Sequence, residues 1–78
     1  MKNNSITIAS LQDKLVSARV PASYYCLGGY REEALCILSE NGKWSVFECE
    51  RGYRYNEHIF ETEEDACLYF IKRIRVFL

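Results

Sequence analysis

Little in this 78-residue chain breaks or spaces it out. Proline occurs once and glycine four times, which leaves no material for a linker or a low-complexity segment. No apolar run approaches the ~20 residues that a membrane-spanning helix needs. The opening Met1-Lys2-Asn3-Asn4-Ser5 is polar. Neither a signal peptide nor a transmembrane helix is therefore expected, and the cytoplasm is the expected compartment. A basic surplus is also missing. The net charge of −1 argues against a phosphate-backbone binder, which carries a cationic face.

Catalytic groups are equally scarce. His58 is the sole histidine, with no serine or acid at a recognisable spacing, and a nucleophile needs a neighbouring base. Cys26, Cys36, Cys49 and Cys67 form no CxxC pair, so the short ligand spacing of a zinc site is absent. In a cytosolic chain they are expected to be reduced core thiols. Gly28-Gly29 lacks the rest of a phosphate loop or dinucleotide fingerprint and is expected to be a simple turn. Glu48, Glu50, Glu57 and Glu61 make no acid–base pair without a pocket. The expectation is a protein that is not an enzyme and takes no cofactor or metal.

Apolar side chains are what the chain does have. Hydrophobic residues make up 49% and aromatics 14%, enough to exclude a disordered chain. At this length they support one modest core, read as a single domain over residues 1–78. The predicted order is helix, strand, strand, strand, helix: an α+β fold in which a three-stranded antiparallel meander lies between two helices and the C-terminal helix packs on the sheet. Thr7 is a plausible cap for a helix from Ile8 to about Ala18, whose stripe is Ile8, Leu11, Leu15 and Ala18. Val20-Pro21 ends it, and residues 21–25 begin a short turn. Strands follow over 34–39, 44–50 and 53–60. Asn41-Gly42 between the first two is the strongest short hairpin signal. Arg51-Gly52 makes the second turn. Thr62 caps the last helix, with Asp65 three residues on, acids in its first turn, and Lys72, Arg73 and Arg75 towards its end. Cys67, Phe70, Ile74 and Phe77 form its apolar stripe, beside Ala66 and Ile71.

A two-residue turn at Asn41-Gly42 sets Ile37 opposite Val46 and Cys36 opposite Phe47. One face then carries Leu35, Ile37, Trp44 and Val46, and the other Ala34, Cys36, Leu38, Phe47 and Cys49. Both are apolar, whereas a half-buried sheet alternates. Three coverings are open: helices on opposite faces, one helix with Tyr24-Tyr25 folded over the second face, or a partner or second copy. In the third strand Arg54, Asn56 and His58 are expected to alternate with Tyr53, Tyr55 and Ile59, as on an exposed edge.

The polar remainder is the candidate surface: Glu48, Glu50, Arg51, Tyr53, Arg54, Tyr55 and His58. Tyrosine and arginine anchor protein–protein interfaces, and glutamate adds steering. An ordinary solvated hairpin is the plainer reading of the same residues. A small RNA-binding module is the rival, with Tyr53 and Tyr55 stacking bases and Arg51 and Arg54 on phosphates. The acidic neighbours and net charge weigh against it.

Two stretches resemble a known family. Residues 42–52, Gly-Lys-Trp-Ser-Val-Phe-Glu-Cys-Glu-Arg-Gly, and residues 60–70, Phe-Glu-Thr-Glu-Glu-Asp-Ala-Cys-Leu-Tyr-Phe, are similar to small bacterial immunity proteins of polymorphic toxin and contact-dependent inhibition systems. The shared pattern is a G-K-W strand, an E-R-G turn and an A-C-x-Y-F helix start, and it covers roughly residues 21–71. The resemblance implies a cognate toxin domain as partner, an NAD-consuming or nuclease domain among the candidates, which the protein binds and blocks. Glu50-Arg51-Gly52 matches the pattern at each position. Glu57 departs from it, standing where the family leads one to expect an apolar residue.

Overall fold

The computed structural model describes residues 6–77. Helix α1 spans Ile8–Ser17. Its Thr7 cap accepts from the Ser10 N–H, and the Ser10 hydroxyl accepts in return from the Thr7 N–H, so two donors without helical partners are satisfied reciprocally. A 3₁₀ turn, Ala22–Tyr24, leads into β1 (Tyr25–Leu27). Then come β2 (Ala34–Glu40), β3 (Lys43–Glu50), β4 (Tyr53–Phe60) and α2 (Glu63–Phe77). The Thr62 hydroxyl accepts from the Asp65 N–H at 3.1 Å, and Glu63, Glu64 and Asp65 occupy the positive end of the α2 dipole. Glu63 also reaches across to α1, where its carboxylate accepts the Ile8 N–H at 2.8 Å. One side chain thereby joins the two helix N-termini.

The sheet corrects the expected three-stranded antiparallel meander. It has four strands in the order β1-β2-β3-β4, and β1 runs parallel to β2. Parallel neighbours ordinarily need a crossover of a dozen residues or more. Here β1 is only three residues long, so the six residues 28–33 suffice to return the chain. The rest of the meander is antiparallel in the expected register, with Ile37 opposite Val46 and Cys36 opposite Phe47. Both hairpins turn in the left-handed region at both central positions: Asn41 (φ 55°) with Gly42 (77°), and Arg51 (54°) with Gly52 (79°). Those are the signs a type I′ turn requires.

The two apolar faces exist, but within the chain their covering differs from both helix arrangements expected, helices on opposite faces or one helix with Tyr24-Tyr25 folded over. Both helices lie on one face. Leu11 and Leu15 of α1 and Ala66, Cys67, Phe70 and Ile74 of α2 pack with Leu35, Ile37 and Val46, and Trp44 and Tyr25 pack against that cluster. Ala18 is exposed at the end of α1, and the Phe77 side chain lies outside the described residues. The second face buries Ala34, Cys36, Phe47 and Cys49, with Leu38 and Cys26 at its margin. Neither helix covers it, and Tyr25 belongs to the first cluster. The 28–33 connection does the covering. Tyr30 sets its ring 5.4 Å from that of Phe47, and the Cys36 thiol donates to the Arg31 carbonyl at 3.8 Å.

A bulge in β4 overturns the expected alternation of the third meander strand. Val46 pairs with His58 and Glu48 with Tyr55, so two residues, Asn56 and Glu57, oppose Phe47. Asn56 takes a left-handed φ of 53°, as a bulge residue can. The extra residue reverses the facing of everything beyond it. His58 and Phe60 therefore share the helix-bearing face with Tyr53 and Tyr55, while Arg54, Glu57 and Ile59 share the other. Glu57, unexpected at its position, accepts the hydroxyl of buried Ser45 at 2.5 Å.

Candidate recognition surface

The seven candidate residues divide into three groups. Glu48, Glu50, Tyr53, Tyr55 and His58 lie on the helix-bearing face of the β3–β4 hairpin, Arg51 sits in its turn, and Arg54 stands on the opposite face.

Arg54 belongs to the covering of the second face. Its guanidinium makes two hydrogen bonds to Glu40, at 2.9 and 2.8 Å, and one to Glu57 at 2.6 Å, and it donates to the Tyr30 hydroxyl. It also lies 4.4 Å above the Phe47 ring centroid and 5.1 Å from that of Tyr30. Charge attraction, planar donors and ring stacking suit arginine and not lysine. The bond to Glu40, then the one to Tyr30, hold the Arg54 pKa above its ordinary value. Arg54 in turn holds the Glu40 carboxyl below the usual range. The Ser45 hydroxyl, with help from Arg54, does the same for Glu57. Arg54 is thus committed to internal partners.

Glu48 is half-buried and paired with Arg73 of α2, so it ties the hairpin to the helix. His58 is exposed; its Nδ1 lies 3.1 Å from the Tyr69 hydroxyl and 3.1 Å from the Asn56 carbonyl oxygen, and the two rings stack at 4.7 Å. Tyr69 stacks in turn on Phe60 at 5.2 Å.

Glu50, Arg51, Tyr53 and Tyr55 remain at the hairpin tip. Tyr53 is 69% exposed and Tyr55 46%, on an edge strand that pairs with no further strand among the described residues. Glu33, Ala34, Glu48, Cys49 and Glu50 line an open depression at this end of the sheet. The turn itself is held. The Glu32 carboxylate, on the covering segment, accepts the N–H of both Arg51 and Gly52. An acidic end thus carries one arginine and two tyrosines on a rigid turn.

Glu32, Tyr30, Tyr69 and Arg73 are partners of these residues that the sequence did not reveal: Arg73 was expected only as a helix-end cation, Tyr69 only within the A-C-x-Y-F stretch, and Glu32 and Tyr30 not at all. Each acts on a residue 11 to 25 positions away, and no local pattern marks such a partner. Among the described residues, no three or more histidine, cysteine or acidic side chains are grouped to hold a metal ion, and no helix is long and apolar enough to cross a membrane. Comparison with protein-family models, curated proteins and solved structures finds no match to this chain.

Proposed function

We propose that this is an immunity protein: a cytoplasmic binding protein, without catalytic activity of its own, that neutralises a cognate bacterial toxin domain by occluding its active site. The motif resemblance supports the family. The G-K-W and A-C-x-Y-F segments supply core positions, namely half-buried Trp44 and buried Ala66, Cys67 and Phe70. The E-R-G segment forms the exposed turn.

The observation that carries the reading is Arg51. A type I′ turn favours asparagine, aspartate or glycine at its first central position, as Asn41 shows in the other hairpin. Arginine there holds a left-handed φ of 54°, a conformation that brings its Cβ close to the following carbonyl oxygen. Arg19 and Glu33 share that left-handed region; what distinguishes Arg51 is its place at an exposed hairpin tip beside exposed Tyr53 and Tyr55, where retained strain supports a contact role. Exposed Glu33 and Glu50 at this end of the sheet suit a toxin cleft that is basic because it binds an anionic substrate, such as a nucleic acid or a dinucleotide. The RNA-binding alternative is weaker, because Arg54, one of its two phosphate contacts, is already paired with two carboxylates.

The test is co-expression with the product of the neighbouring open reading frame. Protection from toxicity, with co-purification of the two chains, is expected. A neighbour that is no toxin, or unprotected cells that contain folded protein, would defeat the proposal. Filter binding to RNA across a salt titration separates the alternative, since a phosphate binder loses affinity steeply with salt.

A further inference from the structure

We infer that Cys26 and Cys36 form a redox modification site, a thiol pair that a small peroxide converts reversibly into a disulfide linking β1 to β2. This inference stands apart from the toxin-binding reading.

The two residues are register partners on adjacent parallel strands, and both belong to the cluster on the second face. In-register neighbours have Cα atoms about 4.8 Å apart, within the disulfide range of about 4.4–6.8 Å. Their Cβ atoms need to approach by roughly 1 Å to reach the preferred spacing of about 3.8 Å. β1 can supply that movement: it is an edge strand of three residues, followed by Gly28 (φ 96°) and Gly29. The other thiols are placed less well. Cys49 pairs with Ala34 and Cys36 with Phe47, so Cys36 and Cys49 are diagonal neighbours. Cys67 lies in the other cluster, across the sheet.

The roles of the two sulfurs follow from access. Cys26 is half-buried at the margin of the cluster, while Cys36 is fully buried. Burial pushes the Cys36 thiol up to about 11, so it is a poor first nucleophile at neutral pH. In the first step the Cys26 thiolate attacks one peroxide oxygen; an S–O bond forms, the O–O bond breaks, and the leaving hydroxide takes up a proton as water. In the second, Cys36 sulfur attacks the sulfenic sulfur of Cys26; the S–S bond forms, the S–O bond breaks, and hydroxide leaves as water with the Cys36 proton. Two thiols are oxidised by two electrons, and one peroxide is reduced to two waters. A dithiol reverses the bond by exchange. The closed ring contains the 28–33 segment, and hence Tyr30 over Phe47 and Glu32 on the Arg51–Gly52 turn. Oxidation therefore fastens the cover of the second face.

Trypsin reads the result directly, because each cysteine falls in its own peptide: 20–31 for Cys26, 32–43 for Cys36, 44–51 for Cys49 and 55–72 for Cys67. Folded protein is treated with hydrogen peroxide, alkylated, digested without reductant and examined by mass spectrometry. The expected product is 20–31 linked to 32–43, two hydrogens lighter than the sum of the free peptides. It is lost in Cys26→Ser, kept in Cys49→Ser, and reversed by dithiothreitol. The melting temperature of the oxidised protein is expected to rise by on the order of 10 °C. The inference is overturned if the linked pair is 32–43 with 44–51, if no linked peptide forms while the thiols remain alkylatable, or if oxidation in urea gives the same selectivity as oxidation of the folded chain.

Discussion

Replacing Phe47 asks whether the second face of the sheet is a true core sealed by the chain itself. The ring is fully buried among Ala34, Cys36 and Cys49, with Tyr30 and the Arg54 guanidinium stacked above it. Truncating a phenylalanine so placed to alanine costs about 3–5 kcal/mol, from lost transfer energy plus the cavity left behind. A chain of 78 residues has about 4–12 kcal/mol of total stability, at roughly 0.05–0.15 kcal/mol per residue. Phe47→Ala therefore approaches the unfolding threshold, and Phe47→Leu, at about 1–1.5 kcal/mol, is the quantitative probe. With a urea m-value near 1 kcal/mol/M, expected for a small domain, the leucine variant lowers the urea midpoint by about 1–1.5 M with an unchanged slope. Circular dichroism at several denaturant concentrations gives both quantities. Arg54→Met, which keeps contact with the ring and loses the charge, is expected to cost less than Phe47→Ala. A midpoint for Phe47→Leu within about 0.2 M of wild type, given the same m-value, would refute the reasoning. The second face would then be loosely covered in solution and free for a partner.

Three further outcomes follow from single features. Arg51→Asn relieves the left-handed residue and keeps its backbone N–H on Glu32, so it should stabilise by about 0.5–1 kcal/mol in thermal melts; a loss of stability would show that the turn is unstrained. Glu63→Ala removes the acceptor of the Ile8 N–H and should cost about 1 kcal/mol, with α1 amides exchanging faster; unchanged exchange would show that the contact is idle. Glu40 and Glu57 have carboxyls held below their ordinary range. Their contribution is present above the unfolded carboxyl pKa, about 4.3, and is lost as pH falls below it through the folded values. Wild type should therefore lose stability on acidification in that window more steeply than Arg54→Met. Equal slopes would remove Arg54 as the cause.

What could be read from the sequence was local. The Thr7 and Thr62 caps, the Asn41-Gly42 turn and the register it imposes each depend on residues within a few positions of one another, and each is found in the fold. The paired apolar faces were legible for the same reason: a two-residue turn and a period of two leave one assignment for Leu35 and Cys36. β1 was not legible, because three residues after Pro21 and before Gly28-Gly29 show no period. The bulge at Asn56-Glu57 carries no glycine to announce it, and missing it placed His58 and Ile59 on the wrong faces. Tyr30 and Arg54, which close the second face, are 24 residues apart. Their meeting depends on the parallel return of the chain, which only the folded sheet displays. Among the candidate contact residues, the tip group of Glu50, Arg51, Tyr53 and Tyr55 stands together on the surface. Arg54 looked the same in sequence but is spent on structure.

The most direct measurement is a comparison of two parts of the surface in the co-expression assay. Tyr53→Ala and Arg51→Ala alter the exposed hairpin tip, while Leu68→Ala alters an exposed residue on α2 (52% exposed) and not on the hairpin. The account predicts that the two tip variants fold as wild type does, yet lose protection and co-purification by at least about thirtyfold, the equivalent of one hot-spot contact of about 2 kcal/mol, whereas Leu68→Ala retains both. Full protection by folded tip variants, or its loss on changing Leu68 alone, contradicts the claim that the Arg51–Tyr55 end is where this protein meets its target.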